Sequence, residues 1–521
     1  MRPRLWQPAV ELSAEEEMIV KRIRRAKLFT FLRRVRHLLF DEEFQSELAC
    51  LYLDSPIGHP PVPPALLALA TILQAYVGVS DDEAIEATVM DRRWQLVLDC
   101  LDCEQAPFGK GTLVAFRQRL IDKDMDRRLI ERVVALAQRE GSFGPCQLRG
   151  ALDSSPLWGA GRVEDTYNLM GHALRKALSV IARQQGRGLA DIAREAGAGL
   201  VAASSLKAAL DVDWDDPEQR QRGLEQVLLA LASVQEWLDA HPQQAHSPEV
   251  TSSMAVAKQV REQDVAVGED GVCSLGVGVA HDRRVSVEDA EMRHGRKSHR
   301  QLFNGYKRHV LRDLDSGLVR AVAVTPANVP EATATDAIMA DLDFQDVILV
   351  ELNIDRAYLT SHLVRERPEG LEINCKAWPV RNGTRLPKTA FHMDWEQGLL
   401  TCPNQVSVPF QPGGVVRFPK ATCAACSLRE SCTTSPKGRT VTIHPDERLL
   451  FELRQAQLTP LGRQKLRQRV YVEHSLSHMG RIQGDRARYI GVRKNLFDLR
   501  RAVVVHDLHQ LSPDPQLLLA A

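Results

Sequence analysis

Residues 347–363 contain a strand pattern that runs directly into a helix start, with Asp355 at the junction. In an extended chain successive side chains point to opposite faces, so alternate residues from Ile348 to Ile354 form one wholly apolar face. The opposite face becomes polar toward Asp355. Because ligands gather at the carboxyl ends of strands in α/β sheets, this pattern predicts a sheet core with a site beside Asp355.

Composition limits the classes to which such a chain can belong. Its 521 residues are enough for roughly three domains, and 44% hydrophobic with 26% charged residues can bury an ordinary core. The ten cysteines do not make a disulfide scaffold in so long a chain, which favours a reducing compartment. The formal net charge of zero argues against a uniformly basic nucleic-acid binder, so any polyanion site must be local.

The sequence predicts neither a membrane span nor a signal peptide. The most apolar run, residues 65–79, is shorter than the roughly 20 residues that a spanning helix needs. Glu11 and the acids at 15–17 stand where a signal peptide would be apolar. The expected location is therefore the cytoplasm, in association with the nucleoid.

Residues 1–145 are expected to form a helical N-terminal DNA-binding domain. Residues 21–36 hold eight basic side chains and no acid, interleaved with leucine and phenylalanine. A basic amphipathic helix of this kind suits a phosphate backbone, although a solvated face over a small core explains it equally well. An apolar helix at 65–77, followed by a glycine and a capping box from Ser80, has the outline of a helix-turn-helix, which many helical hairpins share.

Strand patterns define a second and larger region, residues 146–505. A strand near residue 148 ends at Asp153, and residues 165–265 return to helical spacing, which predicts a helical insert. Without the insert, the order of elements is strand, strand, strand, helix, strand, helix, strand. A glycine-containing turn at 315–317 joins the second and third strands as a hairpin. The predicted class is α/β with a mixed sheet.

Carboxylates at the ends of neighbouring strands, such as Asp153 and Asp355, are what a metal-dependent phosphoryl-transfer site needs. Two Mg²⁺ or Mn²⁺ ions about 3.5–4 Å apart activate a water and stabilise the leaving oxygen in such a site. A third acid normally completes the cage. Residues 460–482 predict one long helix in which Arg469 and Glu473 share a face, and Glu473 is interpreted as the third acid. A surface ion pair between these two side chains is the simpler alternative if the helix stands alone.

Five sequence blocks follow one another along the chain: LDSSPLWGAGRVEDTYNLMGHA, MRHGRKSHRQLFNGYKRHV, AVTPANVPEATA, NIDRAYL and RVYVEHSLSHMGRI. They resemble successive blocks of the DDE transposases of bacterial insertion sequences. The resemblance implies a ribonuclease-H-like core with Asp153, Asp355 and Glu473 as the metal-binding triad. It also implies that Arg469 is the arginine that precedes the glutamate by one helical turn.

Two basic patches lie next to the presumed catalytic elements. The first, within residues 292–309, consists of Arg293, Arg296, Lys297, Arg300, Lys307 and Arg308. The second begins at Arg481, close to the position where the DDE transposases usually have a lysine. We expect Arg469 and Arg481 to contact phosphate. Such contacts position DNA without reading its sequence. A solvated charged face explains either patch equally well when it is taken alone.

A cysteine-bearing insert, residues 380–445, separates Asp355 from Glu473. Its four thiols are those of Cys402, Cys423, Cys426 and Cys432. Four thiolates with one CxxC pair fit a tetrahedral structural Zn²⁺, and the surrounding prolines and glycines suggest a loop-rich knuckle that a metal would hold together. Similar cysteines occur in related transposases with an insert here, while four unligated cysteines are the alternative.

The resulting hypothesis is a transposase that binds the inverted-repeat ends of its element, cuts DNA with a metal-activated water and joins the ends to target DNA. Its partner would be double-stranded DNA, and a homodimer or higher oligomer is expected by resemblance because two ends must be paired. A ribonuclease-H-like nuclease of non-mobile function would use the same triad, and inverted repeats beside the gene would distinguish the two. A DNA-binding protein without catalysis is the third hypothesis, and it predicts no metal-dependent cleavage.

Overall fold

The computed structural model describes residues 2–54, 57–101, 103–139, 147–269, 271–298 and 300–512. Its first part is helical, as the sequence predicts, and the boundary expected near residue 145 lies outside the described residues. The helices are α1 (Ala14–Arg22), α2 (Lys27–Leu39), α3 (Glu42–Ala49), α4 (Pro64–Val77), α5 (Asp81–Met90), α6 (Arg92–Leu98), α7 (Lys110–Asp122) and α8 (Asp126–Arg139). The apolar α4 is buried along nearly its whole length and packs against most of the others.

Helices α4 and α5 meet at an angle of 105°. Gly78 ends α4 with a φ of 80°, a conformation that glycine adopts without steric cost. Ser80 and Glu83 form the expected capping box at the start of α5. Within the described residues, no single helix is long and apolar enough to cross a membrane, and the bent pair of α4 and α5 meets that test only when the two are taken together.

The basic run at 21–36 forms two helices, so the prediction of one amphipathic helix is wrong. Helix α1 ends at Arg22 and α2 begins at Lys27. Arg33 and Arg36 lie on the buried side of α2, where carboxylate and carbonyl oxygens accept their hydrogen bonds. A buried guanidinium needs such partners because an unpaired charge is costly to remove from water. These two arginines therefore stabilise the helical region.

Strand β1 (Gln147–Trp158) leads from the helical region into the predicted helical insert. The insert contains α9 (Thr166–Gln185), α10 (Leu189–Glu195), α11 (Leu206–Leu210), α12 (Pro217–Ala240), α13 (Pro242–Ala245), α14 (Pro248–Asp264) and a hairpin of β2 (Val265–Val267) and β3 (Cys273–Leu275). Its helices bury a hydrophobic core of their own. Asp216 caps α12 and Pro217 occupies its first turn, as the sequence predicts.

The main sheet combines β1 with five later strands: β4 (Arg293–Arg296), β5 (Leu302–Asp313), β6 (Val319–Pro326), β7 (Ile348–Ile354) and β8 (Glu372–Cys375). The strand order is β4-β5-β1-β7-β8, and β6 pairs with β5. Strand β1 runs antiparallel to β5 and parallel to β7, which confirms a mixed sheet. Helices α15 (Ala334–Asp343) and α16 (His362–Arg365) flank β7 in the predicted order, whereas the edge strand β4 was not predicted.

The cysteine-bearing segment is a small unit of short strands and single helical turns. It contains β9 (His392–Asp394), β10 (Leu399–Thr401), β11 (Ser407–Pro409), β12 (Val415–Arg417), α17 (Lys420–Ala424), α18 (Arg429–Cys432) and β13 (Thr440–Thr442). A compact apolar cluster that includes Phe391, Leu400 and Phe418 holds these pieces together.

Four helices complete the chain: α19 (Glu447–Leu458), α20 (Pro460–Gln468), α21 (Val470–Gln483) and α22 (Val492–Leu511). The prediction of a single long helix over residues 460–482 is therefore wrong, because the helix is divided at Arg469. At this break the Val472 backbone nitrogen donates a hydrogen bond to the Arg469 carbonyl at 3.1 Å, which forms a tighter turn. Helix α22 is largely buried between the N-terminal helices and β6. One hydrophobic core consequently includes both the helical region and the sheet.

Candidate active site

The three predicted acids lie around one cavity of about 770 Å³. Asp355 directly follows β7, and Glu473 lies in the first turn of α21. Asp153 lies in the middle of β1, whose pairing with β5 continues to Trp158, so the prediction that this strand ends at Asp153 is wrong. The parallel register pairs Leu152 with Ile354, so the two aspartates occupy equivalent positions on adjacent strands. The period-2 pattern of the sequence thus brings the two aspartates together, and packing of α21 on β1 brings Glu473 to the same cavity.

Asp153 is the most enclosed of the three acids. Its Oδ1 accepts a hydrogen bond from the Ser154 backbone nitrogen at 2.8 Å, and Arg469 donates to its Oδ2. Burial raises the pKa of Asp153, Arg469 opposes that rise, and the charges of Asp355 and Glu473 add to it. Three carboxylates are therefore close enough to influence one another.

Asp355 is exposed to solvent at the end of β7. Its Oδ1 accepts from the Arg356 nitrogen at 2.8 Å and caps a short 3₁₀ turn, Arg356–Tyr358. This local bond holds the carboxylate at the strand end without a cationic side-chain partner among the described residues. Asp355 is accordingly the acid most open to a ligand from solvent.

Arg469 connects the other two acids. Its Nη2 donates to Glu473 Oε1 at 2.9 Å, the predicted pairing across one helical turn, while Nη1 donates to Asp153. Glu473 is about half exposed, so this pair alone resembles an ordinary surface ion pair. The additional bond to Asp153 joins the helix to the middle of β1. In the described part of the chain, no three His, Cys, Asp or Glu side chains are arranged so that they could hold a metal ion.

A buried chain of hydrogen bonds lies beneath the acids, and the sequence did not indicate it. His309 on β5 contacts Tyr358 Oη through Nδ1 at 2.8 Å and Thr325 Oγ1 through Nε2 at 2.9 Å. Burial raises the pKa of Tyr358, and the charges of Asp153 and Asp355 raise it further. Tyr358 therefore stays protonated and supports the part of the sheet that carries the two aspartates.

Glu351 shares a strand with Asp355 but faces a different environment. It is buried and accepts hydrogen bonds from Arg149 at 2.8 Å, Asn353 at 2.9 Å and Asn374 at 3.2 Å. These contacts connect β7 to both neighbouring strands. Glu351 is thus a supporting residue of the sheet.

The predicted phosphate-contacting residues fall into two groups. Arg296, Lys297, Lys307, Arg308, Arg469 and Arg481 line the cavity, whereas Arg293 and Arg300 do not contribute to its lining. Lys307 already pairs with Glu331 at 2.9 Å, and the buried Arg308 donates to Ser155 at 2.7 Å. Burial lowers the pKa of Arg308. Arg293 pairs with Asp282.

The remaining cations at the cavity have charges that the protein does not neutralise. The side chains of Arg296, Lys297 and Arg481 have no hydrogen-bond or salt-bridge partner among the described residues. Arg300 is exposed on the loop after β4. Unpaired cations around three acids suit a polyanion whose backbone must approach the acids.

The four cysteines of the insert surround a much smaller cavity of about 30 Å³. Cys402 lies in a turn after β10, while Cys423, Cys426 and Cys432 come from the two helical turns. Burial raises the pKa of the Cys432 thiol, Arg439 opposes the rise, and the other three thiols add to it. The four thiols therefore line one small cavity.

Comparisons with known families agree with the arrangement of the sheet. Residues 256–374 and 401–512 each match a transposase DDE domain, and residues 19–119 match a transposase domain (DUF772). No curated protein and no solved structure matches the chain. The chain belongs to the DDE transposases, with a ribonuclease-H-like mixed sheet as its core. Asp355 and Glu473 lie in the first and second DDE-domain matches, respectively. Asp153 lies between the DUF772 match and the first DDE-domain match.

Proposed function

We propose that this protein is a transposase that binds the inverted-repeat ends of its own element, cuts the DNA at the 3′ ends and joins the freed hydroxyls to target DNA. The observation that carries the proposal is the convergence of Asp153, Asp355 and Glu473 on one cavity rimmed by unpaired cations. Acids alone are common on protein surfaces. Acids from two adjacent strands of a sheet and from a helix, surrounded by basic side chains, suit the transfer of a phosphoryl group.

The donor set fits divalent ions. Carboxylate oxygens are the ligands that Mg²⁺ and Mn²⁺ prefer, and Asp153 and Asp355 at paired positions would hold such ions together with Glu473. When bound, these ions lower the pKa of a water and stabilise the leaving oxygen. Arg469 donates hydrogen bonds to two of the acids, Asp153 and Glu473, so its guanidinium must shift before they can act as ligands. A phosphate of the substrate offers that guanidinium another acceptor.

The unpaired cations at the cavity supply the contacts to DNA. Arg296 and Lys297 come from the end of β4, and Arg481 comes from the last turn of α21. They line the same cavity as the acids and would hold the DNA backbone there. Lys307 and Arg308 would act indirectly, because their bonds to Glu331 and Ser155 fix the walls.

We also propose that Cys402, Cys423, Cys426 and Cys432 hold a structural Zn²⁺. The four thiols line a cavity of about 30 Å³. A Zn²⁺ ion would fill this cavity once the cysteine side chains rotate toward it. The unit that contains them has a small apolar core, so a metal would add much of its stability.

The function is tested with the purified protein and duplexes that carry the ends of its element, taken from the DNA beside the gene. Strand cleavage that leaves a 3′ hydroxyl and requires Mg²⁺ or Mn²⁺ is the expected result, followed by joining of that end to a target plasmid. A homodimer is expected on paired ends. Specific end binding without any metal-dependent cleavage would favour a non-catalytic DNA-binding protein and would contradict the proposal.

A further inference from the structure

Five arginines from two distant segments surround a groove on the helical region. Arg22, Arg24 and Arg25 come from the end of α1 and the following loop, and Arg92 and Arg93 begin α6. The groove has a volume of about 350 Å³. We refer to these five residues as the arginine groove.

The break between α1 and α2 creates this arrangement. A continuous helix over residues 21–36 would distribute its cations around the helix axis, whereas the loop at 23–26 turns Arg24 and Arg25 to the same side as α6. Helix α6 contacts both α1 and α2. The groove is therefore formed by packed elements, and its arginines are held near one another by the fold.

Most of the positive charge in the groove is not neutralised. The side chains of Arg22, Arg24 and Arg25 make no hydrogen bond or salt bridge with the described residues. Arg92 pairs with Glu15, and Arg93 pairs with Asp91. Five guanidiniums against two carboxylates leave three positive charges, although the chain as a whole has a net charge of zero. Such a local excess attracts a polyanion.

Arg93 is oriented before any ligand binds. Asp91 caps α6 by accepting from the Arg93 backbone nitrogen at 2.8 Å, and it also bonds to the Arg93 guanidinium. The same guanidinium lies over the ring of Phe29, 5.1 Å from its centroid. An arginine fixed in this way loses little side-chain entropy when it bonds to a phosphate.

We propose that the arginine groove binds the phosphate backbone of duplex DNA, without reading its sequence. The residues that line the groove are arginines and the apolar Ile19, Ile23 and Ala26, and no aromatic ring is among those described. Single-stranded nucleic acids are usually held by stacking of bases on aromatic side chains, so this lining favours a duplex backbone.

This inference rests on the proposed function, because it assigns one contact to the DNA on which the transposase acts. Helix α22 packs on α4, α8 and β6, so the helical region and the sheet form one core. DNA bound in the arginine groove is consequently held at a fixed position relative to the catalytic cavity. The groove would act as an anchor for the duplex outside the site of cleavage.

The test measures binding of a random-sequence DNA duplex in EDTA, so that cleavage does not enter the result. The double variant Arg24→Ala/Arg25→Ala should bind about tenfold more weakly and should reduce the slope of log K against log salt concentration by about 2. The variant Arg24→Lys/Arg25→Lys keeps the charges and should retain most of the affinity. A matched control, Arg194→Ala/Arg222→Ala, removes two exposed arginines of the helical insert.

The possible outcomes separate the groove from the catalytic proposal. Weaker binding by the alanine pair, with the lysine pair and the control near wild type, supports the groove. Equal affinity and equal salt slope for the alanine pair and wild type overturn it, even if the protein cleaves element ends normally. A preference of the wild type for single-stranded RNA over duplex DNA, lost in the alanine pair, would also overturn the assignment of a duplex.

Discussion

Arg469 donates a hydrogen bond to Asp153, a residue 316 positions earlier in the chain. The same guanidinium donates to Glu473 at 2.9 Å, so one cation pairs with two of the three acids at the cavity. In the absence of DNA, divalent ions must therefore compete with Arg469 for these carboxylates.

Replacing Arg469 by alanine should strengthen binding of Mn²⁺ to the DNA-free protein by about tenfold, because a charge-assisted bond to a carboxylate is worth roughly 1.5–3 kcal/mol. Calorimetric titration of the DNA-free protein with Mn²⁺ at pH 8 measures this affinity. Arg463→Ala, on the exposed side of α20, is the control. Unchanged or weaker Mn²⁺ binding by Arg469→Ala would show that Arg469 does not compete with the metal.

The cysteine insert should contain one zinc ion in the purified chain, as measured by elemental analysis. The pair Cys423→Ser/Cys426→Ser should reduce the zinc content to nearly none and lower the temperature at which the insert unfolds, since the metal holds a loop-rich unit together. Cys50→Ser alters an exposed thiol on another part of the chain and should leave both quantities unchanged. Zinc content that survives the paired substitution would exclude these cysteines as its ligands.

Arg500 should be essential for the stability of the contact between the helical region and the sheet. It is buried on α22 and bonds to Asp124 at 2.6 Å, Asp126 at 3.3 Å and Asp341 at 3.0 Å. Arg500→Leu leaves the buried carboxylate of Asp341 without its cationic partner, whereas Asp124 and Asp126 keep Arg493. The substitution should lower the free energy of unfolding by about 3–5 kcal/mol in chemical denaturation. Arg448→Ala, which removes an exposed pair with Glu452, should cost less than about 0.5 kcal/mol. A similar small loss for both variants would contradict this role.

His309 should make the stability of the protein depend on pH. Burial, together with the nearby charge of Lys307, lowers its pKa from 6.5 to about 3. Below pH 6.5 the unfolded chain binds a proton at His309 that the folded chain does not bind, so the free energy of unfolding falls as the pH drops toward 3. Above about pH 7 His309 is neutral in both states, and its full contribution to stability is present. His309→Gln removes this titrating group. Between pH 7 and pH 5 the free energy of unfolding of the variant should fall by about 2 kcal/mol less than that of the wild type. Parallel pH profiles for the two proteins would contradict the shift.

The sheet and its two aspartates were predictable because strands produce a local signal. Alternation of apolar and polar residues before Asp355, and again before Asp153, depends only on the geometry of the extended chain. The hairpin of β5 and β6 was predictable for the same reason, with a glycine turn between two such patterns. The convergence of the acids then followed from strand pairing.

Other features depend on contacts between distant segments, and the sequence pattern does not contain them. The break in the helix at Arg469 and the burial of Arg33 and Arg36 are decided by tertiary packing. His309 and Tyr358 are 49 positions apart in the chain, and their bond forms only because the sheet places β5 and the turn after β7 on the two sides of β1. The approach of Arg92 to the loop after α1 joins residues that are far apart in the chain.

The most direct test of the transposase proposal compares Asp355→Asn with Asp346→Asn in cleavage of an end-containing duplex with Mn²⁺. Asp346 lies just before the same strand, is exposed and has a φ of 50°, which asparagine accepts readily. Asp355→Asn should bind the duplex with wild-type affinity and produce no detectable 3′-end cleavage or strand transfer, while Asp346→Asn should match the wild type in all three. Undiminished strand transfer by Asp355→Asn would contradict the assignment of Asp355 and, with it, the catalytic site.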